Sequence, residues 1–211
     1  GGILFLDEFP EFSRAALETL RQPLEEREVT VSRVEASVTY PANFQLVAAM
    51  NPCPCGHFPD RSRCRCTDGQ ITRYLQKVSG PMLDRIDICV EASPITYGDI
   101  RSSGNNESSR EIRARVEQAR KIQGERFAGE NIRCNGEMSG RHIRKFCWLG
   151  REEEKFMEEI FKKLALSARM HDRILKVART TADLAEEEKI RLADLCEAVS
   201  YVKSRGKFWG N

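Results

Sequence analysis

The sequence predicts a mixed α/β domain with a parallel sheet, followed by an all-α helical domain. In the first half, the apolar runs Gly1 to Leu6 and Phe44 to Met50 both end in polar side chains. Continuous apolar runs of strand length are typical of parallel strands that are buried on both faces. In the second half, apolar residues after about residue 131 recur at helical spacing, which indicates a small helical bundle.

Composition and charge narrow the class of protein. The 211 residues include 40% hydrophobic residues and carry a net charge of +2, so charge alone does not predict binding to nucleic acid. No apolar run approaches the roughly 20 residues of a membrane-spanning helix, and the first residues do not resemble a signal peptide. We therefore expect a cytoplasmic protein without a membrane partner, whose clustered thiols are metal ligands or catalytic groups more often than disulfides.

The first forty residues predict a strand, a helix and a hairpin. Ser13 is placed to cap the helix, and Pro23 and the charged segment Glu25 to Glu28 are expected to end it. The hairpin follows, with its turn near Glu35 to Ser37. Its arms carry Val29, Val31 and Arg33 on one side, and Val38 and Tyr40 on the other.

A third buried strand is predicted at Ile86 to Val90, after a cysteine-rich loop. The polar stretch Gly104 to Glu107 then precedes a long helical pattern. We expect residues 1–96 to form the α/β core, 97–130 a linker with a long helix, and 131–211 the helical domain.

Polar side chains stand directly after the first two strands. Asp7 and Glu8 follow the first strand and Asn51 follows the second. Ligands of open α/β sheets bind at the edge where parallel strands end. An ATPase can use one such carboxylate to hold Mg²⁺ through water and the other to polarise the attacking water, which the Asn51 amide could orient. Two solvated acids at the end of a strand are the alternative interpretation.

These segments resemble AAA+ ATPases of the magnesium-chelatase and MCM group. Ile3 to Glu8 looks like the Walker B strand, Leu46 to Asn51 like the sensor 1 strand, and Pro81 to Asp87 like the segment that carries the arginine finger. The predicted hairpin is similar to the pre-sensor 1 hairpin, which lines the central pore of a hexameric ring in that group. The resemblance implies a P-loop-type parallel sheet, present from the Walker B strand onward, with a helical lid.

The same resemblance implies roles for individual residues. ATP and Mg²⁺ are the implied ligands, with Asp7 and Glu8 at the metal and Glu8 and Asn51 in catalysis. Arg85 would reach the γ-phosphate held by a neighbouring subunit. Arg169, in a segment that looks like the sensor 2 helix of the lid, would reach that of its own subunit. Surface salt bridges are the alternative interpretation of both arginines.

Within this group the chain is most similar to the ComM or YifB type, through motifs spread over nearly its whole length. These are NPCPCG from Asn51, RCRC from Arg63, SGPMLDRID from Ser79, VARTTADL from Val177 and EAVSYVKSR from Glu197. The resemblance implies a homo-oligomeric ring whose ATP hydrolysis is coupled to DNA remodelling, as in branch migration during recombination and natural transformation. One alternative is the motor subunit of a metal chelatase, against which the cysteine loop argues. Another is a zinc-stabilised assembly module without enzymatic activity.

One motif of the group does not occur in this sequence. Members carry a Walker A loop, yet no G-x-x-x-x-G-K-[ST] is present here. We therefore expect this stretch to be the C-terminal part of a longer protein. By itself it should hydrolyse no ATP, because the backbone amides and the lysine that cradle the phosphates are missing.

Four cysteines form a C-x-C-x8-C-x-C pattern, namely Cys53, Cys55, Cys64 and Cys66. Four thiolates are enough for a tetrahedral Zn²⁺ site, although C-x-C is tighter than the usual C-x2-C. Free thiols and oxidation are the alternatives, and His57 is a possible substitute ligand. The other four cysteines, Cys89, Cys134, Cys147 and Cys196, are expected in the core.

Contact with DNA is implied mainly by the resemblance. Arg27 and Arg33 flank or occupy the hairpin, where a ring would present them to a phosphate backbone. Two further basic patches are weaker candidates, because a charge run is usually a solvated face. They comprise Arg141, Arg144 and Lys145, and Lys203, Arg205 and Lys207.

Overall fold

The structure is a computed structural model that describes residues 2–33, 36–93, 95, 97–101 and 107–209, with side chains omitted at 99, 100 and 203–208. The chain forms two compact units. Unit 1 comprises Gly1–Asp87 with Arg205–Asn211, and unit 2 comprises Ile88–Ser204. The architecture is mixed α/β, with a small parallel sheet and many helices. No helix among the described residues is long and apolar enough to cross a membrane.

The parallel sheet of unit 1 consists of β1 (Gly2–Leu6) and β4 (Phe44–Ala48), as the two apolar runs predicted. The register pairs Gly2 with Phe44 and Leu6 with Ala48. Leu6 and Leu46 pack against a core that contains Phe9, Leu17, Val78, Met82 and Leu83.

The opposite face of this sheet is not buried among the described residues, which corrects the prediction of strands buried on both faces. Ile3 is 71% exposed and Phe5 58% exposed, and Val47 lies beside Phe5 with 38% exposure. Successive side chains of a strand point to opposite faces, so a core on one side covers only alternate residues. The apolar character of the run therefore predicted the strand correctly. It predicted burial correctly for one face of the strand only.

Two short helices replace the single helix predicted after Ser13. They are α1 (Arg14–Thr19) and α2 (Arg21–Glu26). The Ser13 hydroxyl accepts a hydrogen bond from the Ala16 N–H at 3.2 Å, which confirms the predicted cap. Pro23 does not end the helix, because it lies in the first turn of α2, where backbone N–H groups have no partner within the helix.

The predicted hairpin is present, formed by β2 (Glu28–Ser32) and β3 (Ser37–Pro41). Val29 pairs with Tyr40 and Val31 with Val38 on one face. On the other face, the hydroxyls of Thr30 and Thr39 lie 3.0 Å apart. The turn was predicted near Glu35, which lies outside the described residues.

The third predicted strand is absent, because residues 86–90 form no strand and Ile88 and Val90 are 50% and 74% exposed. An apolar run becomes a strand only when a neighbouring strand satisfies its backbone, and none of the described strands pairs with this run. Two helices lie earlier in unit 1, α3 (Asp68–Leu75) and α4 (Gly80–Leu83).

Unit 2 is helical within the described residues, and the helical patterns predicted there are confirmed. Its helices are α5 (Tyr97–Arg101), α6 (Ser109–Arg126), α7 (Gly140–Phe146), α8 (Arg151–Lys163), α9 (Ala168–Leu184) and α10 (Leu192–Trp209), the last of which continues beyond Ser204. The core includes Ile174, Ala178 and Leu195, each with no exposed surface.

A buried polar network joins α6 and α9. Asp183, which is fully buried, accepts both terminal nitrogens of Arg126 and, at 3.1 Å, Arg179 Nε. The Asn135 side-chain amide donates to the same carboxylate at 2.7 Å. One aspartate therefore compensates two arginine charges inside the unit.

The four other cysteines differ in burial, and only one of them is a core residue as predicted. Cys147 is 4% exposed, and burial raises the pKa of its thiol to about 12. Cys89 and Cys134 are partly buried, and Cys196 is exposed. Cys196 follows the buried Leu195 directly, and one residue along a helix turns the side chain away by about 100°.

Candidate functional site

Three predicted nucleotide-site residues of unit 1, Asp7, Glu8 and Asn51, follow the two strands at one edge of the parallel sheet. The Ala49 N–H donates to the Leu6 carbonyl at 2.9 Å, and the Phe9 N–H donates to the Ala49 carbonyl at 3.0 Å. Asp7 and Glu8 therefore lie between the two residues, Leu6 and Phe9, that are hydrogen-bonded to Ala49. Ala49 is itself two residues before Asn51. The sheet brings together the residues that the sequence placed after its two strands.

The backbone at this edge is turned sharply. Glu8 has φ of 50°, in the left-handed region that residues other than glycine seldom adopt. Its N–H donates to Asp7 Oδ1 at 2.8 Å. Both side chains are exposed, so they are accessible to a ligand.

Tyr74 is a residue of this edge that the sequence analysis missed. It lies on α3, is 5% exposed, and the Asn51 backbone N–H is close enough to its hydroxyl to lower its pKa. Burial raises the pKa of Tyr74, and the negative charges of Glu11, Cys53 and Glu8 add to this shift. Tyr74 therefore lies beside the backbone from which Asn51 projects.

The four cysteines of the C-x-C-x8-C-x-C pattern converge in a single cluster. Their sulfur atoms all lie within 4.8 Å of one another. Cys53 Sγ is 3.4 Å from Cys55 Sγ and 3.8 Å from Cys64 Sγ, and the latter two are 3.6 Å apart. Tetrahedral zinc with Zn–S bonds of about 2.3 Å needs sulfurs about 3.8 Å apart. The number, type and spacing of the ligand atoms therefore fit a metal ion.

Backbone N–H groups point at these sulfurs. The Phe58 N–H donates to Cys53 Sγ at 3.4 Å. Within each C-x-C pair, the backbone N–H of the second cysteine also lowers the pKa of the first, Cys55 acting on Cys53 and Cys66 on Cys64. Hydrogen bonds to sulfur stabilise the thiolate, which is the form that binds metal.

The ionisation of the four thiols differs. Hydrogen bonds from the backbone N–H groups of His57 and Arg65 lower the pKa of Cys55 to about 6. Desolvation raises the pKa of Cys64, and it raises that of Cys66 to about 12. A divalent cation would supply the positive charge that four adjacent thiolates require.

The cysteine cluster is joined to α3. Cys53 and Cys64 are 0% and 8% exposed and pack with Ile71, Tyr74 and Leu75. A capping box between Thr67 and Gln70 begins α3 directly after Cys66. The helix that carries Tyr74 therefore contacts both the cysteines and the backbone of Asn51.

The two arginines implied in phosphate contact differ in surroundings. Arg85 has a side chain that is 13% exposed, ion-paired with Glu25, and donates to the Pro81 carbonyl at 2.6 Å. Arg169 lies in the first turn of α9 in unit 2, where its side chain is exposed. Arg169 has no ion pair with another residue of the described part of the chain.

The arginines at the hairpin lie where the sequence placed them. Arg27 has φ of 61° and ends α2 immediately before β2. Arg33 follows β2, and its N–H donates to the Ala36 carbonyl at 2.8 Å. Both side chains are exposed.

One of the two other basic patches is partly neutralised. Glu130 accepts Lys145 Nζ at 2.8 Å and Arg141 Nη2 at 3.1 Å. The second patch involves side chains at 203, 205 and 207, outside the described side chains.

Two family models match the chain. The model for magnesium chelatase subunit ChlI matches residues 1–100, and the model for the C-terminal region of the same subunit matches residues 106–202. Competence protein ComM of Haemophilus influenzae is 44% identical over 95% of this chain and 38% of its own length. YifB of Escherichia coli K12, itself uncharacterized, is 45% identical over 95% of this chain and 39% of its own length.

A more distant relative aligns over the same share of this chain. An uncharacterized protein of Mycobacterium tuberculosis H37Rv is 38% identical over 95% of this chain and 39% of its own length. The chain thus spans about two fifths of the length of the curated relatives it matches. These matches confirm the resemblance inferred from the motifs. The chain therefore belongs to the magnesium-chelatase-like family, in its ComM and YifB type.

Proposed function

We propose that this chain is part of a ring-forming AAA+ ATPase that uses ATP hydrolysis to remodel DNA. The observation that carries the proposal is the parallel pairing of β1 with β4, which places Asp7 and Glu8 beside the segment that leads to Asn51. The ComM relative supports the DNA partner, since its name is that of a competence protein and competence is the uptake of DNA.

Each residue at the sheet edge has a distinct role in this proposal. Asp7 would hold Mg²⁺ through water, and the ion would supply positive charge opposite the phosphates. Glu8 accepts a proton from the attacking water, and the Asn51 amide orients that water. Tyr74 is a positioning residue, because it acts only through the Asn51 backbone. The left-handed turn at Glu8 supports this assignment, since strained backbone is frequent at functional sites.

We further propose that Cys53, Cys55, Cys64 and Cys66 hold one structural Zn²⁺. Four sulfur ligands leave no open coordination position, which is typical of structural zinc and not of catalytic zinc. The ion would fix the loop against α3 and therefore support the sheet edge through Tyr74.

The motor subunit of a metal chelatase is the second enzymatic candidate, because the matching family models carry that name. The identity of 44% to a competence protein, ComM, favours DNA remodelling over metal insertion. Conversion of a synthetic four-way DNA junction, measured with the full-length protein, distinguishes the two activities. A non-enzymatic zinc-stabilised module is the remaining candidate, and it predicts no turnover at all.

The decisive experiment replaces Glu8 by Gln in the full-length protein that contains this chain. We expect ATP to bind with unchanged affinity and its hydrolysis to fall at least about a hundredfold, because the amide cannot take the proton from water. Glu11→Gln is the matched control, since Glu11 is an exposed acid three residues away that pairs with Lys77. Wild-type turnover in Glu8→Gln would contradict the assignment.

A further inference from the structure

The outer side of the cysteine loop contains an open depression of about 490 Å³. It is lined by Cys55, His57, Ser62, Arg63 and Arg65. We infer that this depression binds the phosphate backbone of nucleic acid through the guanidinium groups of Arg63 and Arg65. The inference adds a nucleic-acid contact that the proposed function does not assign, and it requires neither ATP nor the sheet edge.

The sequence alternates between cysteine and arginine at this point. In the run Arg63-Cys64-Arg65-Cys66, Cys64 is buried in the cluster, whereas Arg63 and Arg65 are exposed. Arg63 lies in a turn and residues 64–67 form no strand, yet both arginines line the same depression. The buried Cys64 lies between them in the sequence and faces the candidate metal site.

Both arginines are available for an external ligand. Neither guanidinium has a hydrogen bond or an ion pair within the part of the chain that the structure describes. Arg61 differs, because it is ion-paired with Asp68, donates to the Cys66 carbonyl at 3.1 Å and covers the Phe58 ring. The loop therefore uses Arg61 internally and leaves the next two arginines exposed.

The nearby carboxylates are already engaged. Asp60 accepts the Ser62 hydroxyl at 2.6 Å and the Ser62 N–H at 2.9 Å, and these hydrogen bonds lower its pKa. The charge of Arg63 lowers the pKa of Asp60 further without an ion pair. Asp68 is paired with Arg61. Neither Arg63 nor Arg65 therefore has a carboxylate partner among the described residues.

The backbone beneath the arginines is held in place. The Arg63 N–H and the Cys64 N–H both donate to the Asp60 carbonyl, at 3.2 Å and 2.7 Å. Side chains on a fixed backbone lose less entropy when they bind a ligand. The planar fork of a guanidinium matches the oxygens of a phosphate, and an open depression suits a chain of phosphates better than a buried small molecule.

Binding of the chain, loaded with Zn²⁺, to fluorescein-labelled oligo(dT) tests the inference by fluorescence anisotropy without ATP. We expect the double variant Arg63→Gln and Arg65→Gln to bind about tenfold or more weakly. The slope of log affinity against log salt should also fall by about 1.4, since each phosphate contact on a single strand contributes about 0.7. Arg14→Gln removes an exposed arginine from α1 and should change neither quantity.

Three results would overturn the inference. The first is equal affinity of the double variant and of Arg14→Gln for oligo(dT). Absence of binding by the wild-type chain counts as the same result. The second is loss of zinc in the double variant, which would make the arginines supports of the metal site. The third is displacement of labelled oligo(dT) by a competitor that is as effective as unlabelled oligo(dT). Polyglutamate at matched charge would assign the depression to an acidic protein. Inorganic phosphate at matched ionic strength would assign it to a free anion. An inactive Glu8→Gln protein that still binds oligo(dT) separates this surface from the ATPase proposal.

Discussion

Arg85 and Glu25 form an ion pair within unit 1, so the residue that resembles an arginine finger is engaged inside its own chain. Its second terminal nitrogen donates to the Pro81 carbonyl at 2.6 Å. A finger that acts on a neighbouring subunit must therefore exchange the Glu25 carboxylate for a phosphate. This exchange is possible on charge grounds, because Glu25 is half-exposed and the pair lies near solvent.

The role of Arg85 can be tested by mixing two inactive variants of the full-length protein. Arg85→Ala should bind ATP without hydrolysing it, and Glu8→Gln should do the same for a different reason. In mixed rings some interfaces combine an intact Glu8 with an intact Arg85, so part of the ATPase activity should return.

The control for this experiment is Glu25→Ala, which removes the internal partner and leaves the arginine. We expect it to retain hydrolysis. Mixed rings that form without activity, together with equal loss of stability in Arg85→Ala and Glu25→Ala, would instead make Arg85 a structural partner of Glu25.

Metal analysis of the purified chain should give about one Zn²⁺ per molecule, and replacing both Cys64 and Cys66 by Ser should release it. Replacing Cys134 and Cys196 by Ser is the matched control, because neither lies in the cluster, and the zinc should stay. Chelation should increase hydrogen exchange at residues 52–67 and spare unit 2, since metal binding stabilises the folded loop. A metal content near zero after reducing, zinc-replete purification would refute the site.

Asp183→Asn should destabilise the chain strongly. The change leaves Arg126 and the buried Arg179 without their common carboxylate, and removing one partner of a buried ion pair costs about 3–5 kcal/mol. Urea unfolding followed by circular dichroism measures the loss. Asp172→Asn is the control, since that aspartate is 45% exposed and its removal should cost less than about 1 kcal/mol. Equal effects of the two substitutions would show that the buried network adds little to stability.

Acid should weaken the contact between Glu130 and α7. The hydrogen bond from Lys145 lowers the pKa of Glu130 below its ordinary value of 4.5. Because the folded state favours the ionised form, this contribution to stability is present above about pH 4.5 and is lost as the pH falls through the lower, folded-state pKa.

The thermal midpoint of Glu130→Gln should therefore lie below that of the wild-type chain at neutral pH and approach it in acid. A constant difference between the two proteins across this range would contradict the ionic explanation.

The sequence predicted the helix cap, the hairpin and the cysteine cluster, because each depends on residues that are near one another in the chain. The hydroxyl of Ser13 caps α1, and the hairpin pairs Val29 with Tyr40 and Val31 with Val38 across its arms. The C-x-C pairs predicted a cluster, because two residues of spacing already bring sulfur atoms close together. In each case the partner lies within a few residues or is specified by the periodicity.

The pairing of β1 with β4 was predicted, but other long-range partners could not be. Ile86 to Val90 has the composition of a strand but lacks a neighbouring strand among the described residues. Tyr74 lies near the sheet edge only because α3 places it beside Asn51, and no sequence motif predicts that proximity. Arg63 and Arg65 could have been noticed from their alternation with the cysteines. Their lack of partners became evident only from the structure.

The exposed apolar face of the two-stranded sheet has a consequence for the behaviour of the chain in solution. Ile3, Phe5 and Val47 form an apolar patch beside strand edges that no other described strand covers. Such edges pair readily with a second molecule, and apolar patches strengthen that pairing. The apparent molar mass of the chain, measured by light scattering, should therefore rise with protein concentration, and Ile3→Lys should suppress the increase.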